Sequence, residues 1–149
     1  MKLLGFLVLI TLVISLSLPS GFAKAHVQIQ SVQFQLNNSN ITGNIVIASP
    51  TKLTIIVTLN GTGTVSICPE QVVQYSFFSV GTGDNINFKC DTITVNYIAT
   101  HQMQRLVSIS PNQVGDLYIR IHILDAQSSQ YPEIATSKWF WICEIVHQF

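Results

Sequence analysis

Three cysteines are the residues of this sequence whose chemistry is most constrained: Cys68, Cys90 and Cys143. In an oxidising compartment two of them are expected to bond, and three thiols allow three pairings with one thiol left over. The pair Cys68–Cys90 encloses the shortest loop, and such a bridge contributes roughly 3 kcal/mol of stability by the loop-entropy estimate. We therefore predict this disulfide. Cys143 lies between Trp141 and Ile145 on an apolar parity, which predicts a buried thiol.

The start of the chain has the organisation of a secretory leader. Residues 3–18 form an apolar run of 16 residues without a charge, and Pro19 breaks it. Small residues at both ends of the tripeptide 23–25 occupy the two positions that a signal peptidase recognises. The sequence therefore predicts a cleaved signal peptide over residues 1–25 and one domain over residues 26–149. An uncleaved membrane anchor is the alternative, because the apolar run falls only slightly short of a span.

Cleavage at that point would leave His26 as the first residue, with a free amine. A terminal histidine resembles the copper brace of lytic polysaccharide monooxygenases and of CopC-like copper carriers. The resemblance implies a copper site in which the terminal amine and the His26 ring are joined by a second imidazole. The candidates for that imidazole are His101, His122 and His147. A copper-binding protein or copper enzyme is what this resemblance implies.

Motifs for other chemistry are absent from the sequence. It contains no Gly-x-Ser-x-Gly elbow, no His-Glu-x-x-His and no P-loop, so we predict no catalytic residues and no cofactor. Charged residues make up 9% of the chain, against about 25% in an average soluble domain, and they form no basic cluster. This distribution argues against a nucleic-acid partner. Three N-x-[ST] sequons in predicted turns are candidate glycosylation sites: Asn37, Asn40 and Asn60.

The elements that carry these residues have the pattern of β-strands. Residues 41–48 and 53–59 alternate with a period of two and are joined by a turn that contains Pro50, which predicts a β-hairpin with one face in a core. Residues His26–Leu36 also alternate, but the phase of the alternation changes near Gln30. Either a β-bulge at this point or a strand that crosses from one sheet to another would produce that change.

Turn signals divide the rest of the chain into short strands. Residues 60–63 and 69–70 are predicted turns, and residues 117–124 alternate clearly, with leucine and isoleucine on the inward face. Residues 125–137 are predicted to be irregular, before a last strand over 139–146 that begins with adjacent aromatic residues. Turn signals every eight to twelve residues indicate an all-β fold, which we predict to be a single antiparallel β-sandwich, Ig-like or jelly-roll-like. A closed barrel is the alternative.

These features predict a secreted or cell-surface protein without enzymatic activity that acts by binding or assembly, as a structural or adhesive subunit. Its expected partner is a second copy or another cell-surface molecule. The uncharged segment His26–Leu36 would be a hazardous free edge, so we expect it to pair within its own sheet or with a neighbouring molecule. A secreted carrier of a small apolar ligand such as a lipid is the first alternative, and the copper protein is the second.

Overall fold

The computed structural model describes residues 24–37, 39–40, 51–75, 85–107 and 115–145. The regular elements in these ranges are all β-strands, and none of the described residues is helical. The strands are β1 (His26–Leu36), β2 (Ser39–Asn40), β3 (Thr51–Tyr75), β4 (Asn85–Asn87), β5 (Asp91–Val107), β6 (Gly115–Asp125), β7 (Glu133–Thr136) and β8 (Phe140–Ile145).

The sheet is built around β3, and all the pairings are antiparallel. On one side, β5 pairs with residues 51–67 of β3, and β4 pairs with residues 70–72. On the other side, β1 pairs with residues 53–62 and β6 pairs with residues 65–75. Strands β7 and β8 pair with the far side of β6, and β2 pairs with β1. The strands form one antiparallel sheet that is curled into a half-barrel.

Two glycines let β3 bend without a break in its pairing. Gly61 and Gly63 have φ angles of 135° and 131°, a backbone region that other residues rarely enter. A Cβ atom on Gly61 would lie 1.9 Å from the backbone oxygen of His26 on β1, so a side chain does not fit there. Opposite Gly61, Tyr97 of β5 has a φ of 72°. The two longest strands therefore leave the extended conformation at the same point.

A contact between two aromatic rings shows how strongly the sheet curls. The ring centroids of Phe34 on β1 and Phe140 on β8 are 5.4 Å apart. In the register of the sheet, Phe34 lies beside Ile55 of β3, and Phe140 lies two strands across from Gln71 of β3. Those two β3 residues would be about 50 Å apart on a straight strand. The two halves of β3 must therefore curve towards each other, which brings β1 and β8 into contact.

The inward face of the sheet forms the core, and its pattern confirms the predicted alternation. Side chains at alternate positions of β3 and β6 have no solvent exposure: Leu53, Ile55, Val57, Leu59, Val65, Ile67, Leu117, Ile119, Ile121 and Ile123. Full burial of a side chain of this size stabilises a fold by about 1.5–3 kcal/mol. Because these residues come from both halves of β3 and from its neighbour β6, the core holds the curled sheet together.

The structure confirms the predicted irregularity in the first strand and corrects two predicted turns. The register between β1 and β3 shifts between Ile29 and Ser31, as expected for a β-bulge. Residues 60–63 and 69–70 are not turns, because both lie inside β3. In the first case the glycines supply a bend instead of a chain reversal. In the second case the carbonyl oxygen of Pro69 accepts a hydrogen bond from the Phe88 amide at 3.0 Å, and the strand continues.

The predicted sandwich is confirmed only as an all-β antiparallel fold, since the strands form one curled sheet. Strand β7 lies within residues 125–137, which the sequence predicted to be irregular. Residues 41–48 of the predicted hairpin and residues 1–23 of the predicted signal peptide lie outside the described residues. The segment His26–Leu36 pairs with β3 of its own chain.

Candidate functional site

Strand β5 forms a long edge of the described sheet. Its 17 residues pair with β3 from Asp91, opposite Ile67, to Val107, opposite Thr51. Within the described ranges, no strand pairs with the side of β5 that faces away from β3. We call this side the β5 edge. An edge strand presents backbone N–H and C=O groups that can pair with another chain. Its length makes the β5 edge the first candidate for a functional surface.

The outward side chains of β5 are exposed and carry no formal charge. They are Thr92, Thr94, Asn96, Ile98, Thr100, Gln102, Gln104 and Leu106. Hydroxyl groups on this face are held in place by hydrogen bonds to β3, including Thr100 to Thr58 at 3.1 Å and Thr92 to Ser66 at 2.9 Å. Natural edge strands are commonly protected by charged side chains or proline. The outward face of β5 has neither, and the charged residues of the strand, Asp91 and Arg105, lie on its inward face.

Exposed apolar groups lie on the same strand. Ile98 is 62% exposed and Leu106 is 64% exposed. Tyr97 is 81% exposed and has the positive φ angle at the bend, a conformation that costs about 1–2 kcal/mol for a residue with a side chain. The centre of the β5 edge therefore combines a backbone side that no other described strand pairs with, an exposed isoleucine and a strained tyrosine.

A charge cluster on the inward face of β5 joins the two parts of the strand that lie on either side of Tyr97. The carboxylate of Asp91 accepts hydrogen bonds from His101 Nε2 at 2.8 Å and from Arg105 Nη2 at 2.7 Å. Arg105 also donates to the carbonyl oxygen of Lys89 at 2.6 Å. Burial opposes ionisation of Asp91, but the hydrogen bonds from His101 and Arg105 outweigh it, so the pKa of this carboxyl is lowered. We call Asp91, His101 and Arg105 the β5 clasp.

A second charge cluster joins three strands on the outward face of the sheet. Glu70 of β3 has a side chain only 8% exposed, and one of its oxygens accepts hydrogen bonds from two residues of β6. Arg120 donates from Nε at 3.0 Å and from Nη2 at 2.7 Å, and His122 Nε2 lies 2.6 Å away. The other ring nitrogen of His122 is bonded to Glu133 of β7. We call these four residues the Glu70 cluster.

The arrangement of the Glu70 cluster favours the charged form of its histidine. Burial lowers the pKa of His122, but hydrogen bonds to Glu133 and Glu70 outweigh burial, so the pKa is raised. The pKa of Glu133 is lowered, first by a hydrogen bond from Thr136 and then by His122. Two carboxylates on opposite sides of one imidazole suit a structural bridge, because both ring nitrogens are already occupied.

The residues considered for copper are separated into different surroundings. His101 belongs to the β5 clasp, His122 belongs to the Glu70 cluster, and His147 lies outside the described residues. Among the described residues, no three His, Cys, Asp or Glu side chains are grouped so that they could hold a metal ion. His101 and His122 are each bonded to carboxylates, and the copper brace stays a prediction.

His26 itself lines a groove of about 510 Å³ at the bend, with Lys24, Asn60 and Ile134 among the other lining residues. Ala25, which the predicted cleavage would remove, is buried next to this groove and close to Gly63. The groove mixes charged, amide and apolar groups. Nothing in that lining singles out an apolar ligand.

The predicted disulfide is present. Cys68 of β3 and Cys90, which precedes β5, have a Cα–Cα distance of 4.3 Å. The bridge fixes the start of β5 against the second half of β3. Cys143 is a free thiol and buried, and burial raises its pKa to about 11. Cys143 is therefore protonated at neutral pH and poorly reactive.

The three sequons occupy different surroundings. Asn37 is exposed in a turn after β1, and its backbone amide donates to the Lys52 carbonyl oxygen at 2.9 Å. Asn40 belongs to the short strand β2. Asn60 is exposed but lies inside β3, one residue before the bend, and is not in the turn that the sequence predicted. Asn37 therefore has the surroundings expected of an accessible acceptor.

Comparisons with known proteins found no match to this chain among protein-family models, curated proteins or solved structures. Among the described residues, no helix is long and apolar enough to cross a membrane. A functional interpretation must therefore rest on the geometry described above.

Of the residues in the two charge clusters, the sequence pointed only to His101 and His122, and to these as candidate copper ligands. The one available signal was in β6, where Arg120 and His122 occupy neighbouring outward positions of a strand with a clear alternation. Glu70 was interpreted as part of a turn with Pro69. A strand interpretation of residues 65–75 would have placed Glu70 on the same face as its two partners.

Proposed function

We propose that this protein is a secreted or cell-surface subunit without enzymatic activity, and that it acts by assembly through the β5 edge. One observation carries the proposal: a strand of 17 residues has an unpaired side within the described sheet and an outward face without charge. Main-chain hydrogen bonds from such an edge provide affinity, and exposed side chains such as Ile98 provide specificity.

The pairing of the first strand favours β5 as the assembly surface. Strand β1 is joined to β3 over most of its length, and its residues Val27 and Leu36 are buried in the core. A strand in this position stabilises its own sheet. The segment His26–Leu36 is therefore a poor candidate for donation as a separate strand. Within the described sheet the far side of β1 pairs only with β2, at Gln35 and Leu36, but the unpaired side of β5 is longer.

The disulfide Cys68–Cys90 is consistent with an extracellular location, since such bonds persist in oxidising compartments. The scarcity of charge and the abundance of threonine, asparagine and glutamine fit a surface that packs against other subunits or carries glycans. The exposed sequon at Asn37 is hydrogen-bonded to Lys52 of β3, whose partner on the other side is Leu106 of β5, so a glycan there would lie two strands away from one end of the β5 edge. Secretion and glycosylation both belong to the proposal.

The assembly proposal can be tested with protein recovered from the medium of cells that express the full chain. We expect dimers or larger oligomers by light scattering after size exclusion and by negative-stain microscopy. The substitution Ile98→Lys places a charge at the centre of the β5 edge, so it should give monomers. Tyr131→Lys changes an exposed residue outside the strands and should leave assembly intact. A wild-type protein that stays monomeric at high concentration would refute the proposal.

A further inference from the structure

We infer that the partner of the β5 edge is a second copy of this chain, paired antiparallel with β5 about a two-fold axis at Ile98. The inference rests on the proposed function and adds the identity of the partner and the register. A two-fold interface uses the same surface on both subunits, so each β5 must complement itself. The sequence and bend of β5 allow the register to be derived.

The faces of the strand limit where the axis can lie. Directly opposite residues of an antiparallel pair point to the same face of the sheet. Since odd-numbered residues of β5 point inward and even-numbered residues point outward over most of the strand, the axis must pass through a residue and not between two residues. The bend at Tyr97 adds a second limit. Two bent strands stay paired on both sides of the bend only when the two-fold axis lies close to it, because the two bends then lie side by side.

Five positions lie within two residues of the bend: Val95, Asn96, Tyr97, Ile98 and Ala99. An axis at Val95 or Asn96 would place Arg105 opposite an asparagine that precedes β5, and the Asn96 axis would pair Asp91 with His101 of the second copy. An axis at Tyr97 would place Arg105 opposite Lys89 of the second copy, which brings like charges together. An axis at Ala99 would place Arg105 opposite Ile93 of the second copy. An axis at Ile98 places Arg105 opposite Asp91 of the second copy, twice by symmetry, and brings together the two Asp91–Arg105 ion pairs that the chains already contain. Because arginine is always charged, whereas histidine is charged only when protonated, this register is favoured over the Asn96 register.

The outward face also fits the Ile98 register. Ile98 of each copy would contact the same residue of the other, and both side chains, now 62% exposed, would become buried. The next outward pairs would be Asn96 with Thr100 and Thr94 with Gln102. All of these side chains are uncharged, so no repulsion opposes the pairing. The exposed isoleucine thereby gains a contact that the described residues of its own chain do not provide.

Single cysteine substitutions test the register directly. Ile98→Cys would place two thiols next to each other across the axis, so mild oxidation should give a species of twice the monomer mass that reduction abolishes. The matched variant Asn96→Cys should not cross-link with itself, because its opposite residue is Thr100. A mixture of Asn96→Cys and Thr100→Cys proteins should cross-link, although neither does so alone. Cys143 should not interfere, since it is buried and its raised pKa keeps the thiol protonated.

The outcomes separate this inference from the proposed function. Cross-linking of Ile98→Cys and of the mixture, but not of Asn96→Cys alone, supports the two-fold register. If the wild type assembles and Ile98→Lys does not, but Ile98→Cys fails to cross-link, then the register is wrong and the assembly function stands. Equal cross-linking of all single variants would likewise overturn the register. A wild type that neither assembles nor cross-links through any of these positions would overturn both.

Discussion

The β5 clasp and the Glu70 cluster contain the same kinds of side chain, but the fold brings them together in different ways. In the clasp, Asp91 bonds to residues 10 and 14 positions later on its own strand. On a straight strand those residues would lie about 33 and 46 Å away. In the Glu70 cluster, Glu70 bonds to Arg120, directly opposite on the neighbouring strand, and to His122, two residues further along it. The first cluster therefore depends on curvature, and the second depends on register.

This difference assigns the clusters different structural roles. The β5 clasp closes the curled edge strand on itself and keeps its inward charges away from the outward face. The Glu70 cluster joins β3, β6 and β7, so it fixes the short strand β7 to the sheet. Removal of the curvature should therefore destroy the clasp, whereas removal of the buried carboxylate should weaken the second half of the sheet.

The largest expected effect is that of Gly61→Ala. The new Cβ atom would lie 1.9 Å from the backbone oxygen of His26, and the φ of 135° is unfavourable for alanine. We expect a loss of about 4 kcal/mol in the free energy of unfolding, measured by urea denaturation. The neighbouring exposed change Thr62→Ala should cost at most about 0.5 kcal/mol. Equal stability of the two variants would show that the bend does not depend on glycine.

We expect Glu70→Gln to lower the free energy of unfolding by an intermediate amount. The change leaves Arg120 and His122 without their shared carboxylate in a poorly exposed position, which should cost about 2–3 kcal/mol in the free energy of unfolding. The matched change Asp91→Asn should cost about 1 kcal/mol, because the Asp91 carboxylate is more exposed. Urea denaturation of both variants measures the contrast. A larger loss of stability for Asp91→Asn would show that the β5 clasp contributes more to stability than the Glu70 cluster does.

Structural features set by neighbouring residues could be predicted from the sequence, whereas features set by contacts between distant residues could not. The inward face of β6 follows from a local period of two, and the pairing of Cys68 with Cys90 follows from the shortest loop. Glu70 was missed because its neighbour Pro69 is typical of turns, although tertiary pairing keeps both inside β3. The β5 clasp could not be predicted, because no local preference places Tyr97 at a positive φ.

The smallest expected effect is a pH dependence specific to the Glu70 cluster. Since the pKa of His122 is raised in the folded protein, its contribution to stability is fully present below the ordinary value of 6.5 and is lost as pH rises through the raised pKa. We expect a small fall in the free energy of unfolding as pH rises through that range, measured by urea denaturation at several pH values. His122→Gln should remove this component, and Glu133→Gln should reduce it. An unchanged profile in His122→Gln would assign the pH dependence to other groups.

Amide hydrogen exchange of β5 tests the central claim most directly. In assembled wild-type protein, we expect the amides that point to the β5 edge, roughly every second one, to exchange more slowly than in Ile98→Lys. Peptides from β1 and β6 should exchange equally in both proteins, since their pairing lies within one chain. We expect the extra protection from hydrogen exchange to be confined to residues 91–107. Equal protection of β5 in the assembled wild type and in Ile98→Lys would contradict assembly through this edge.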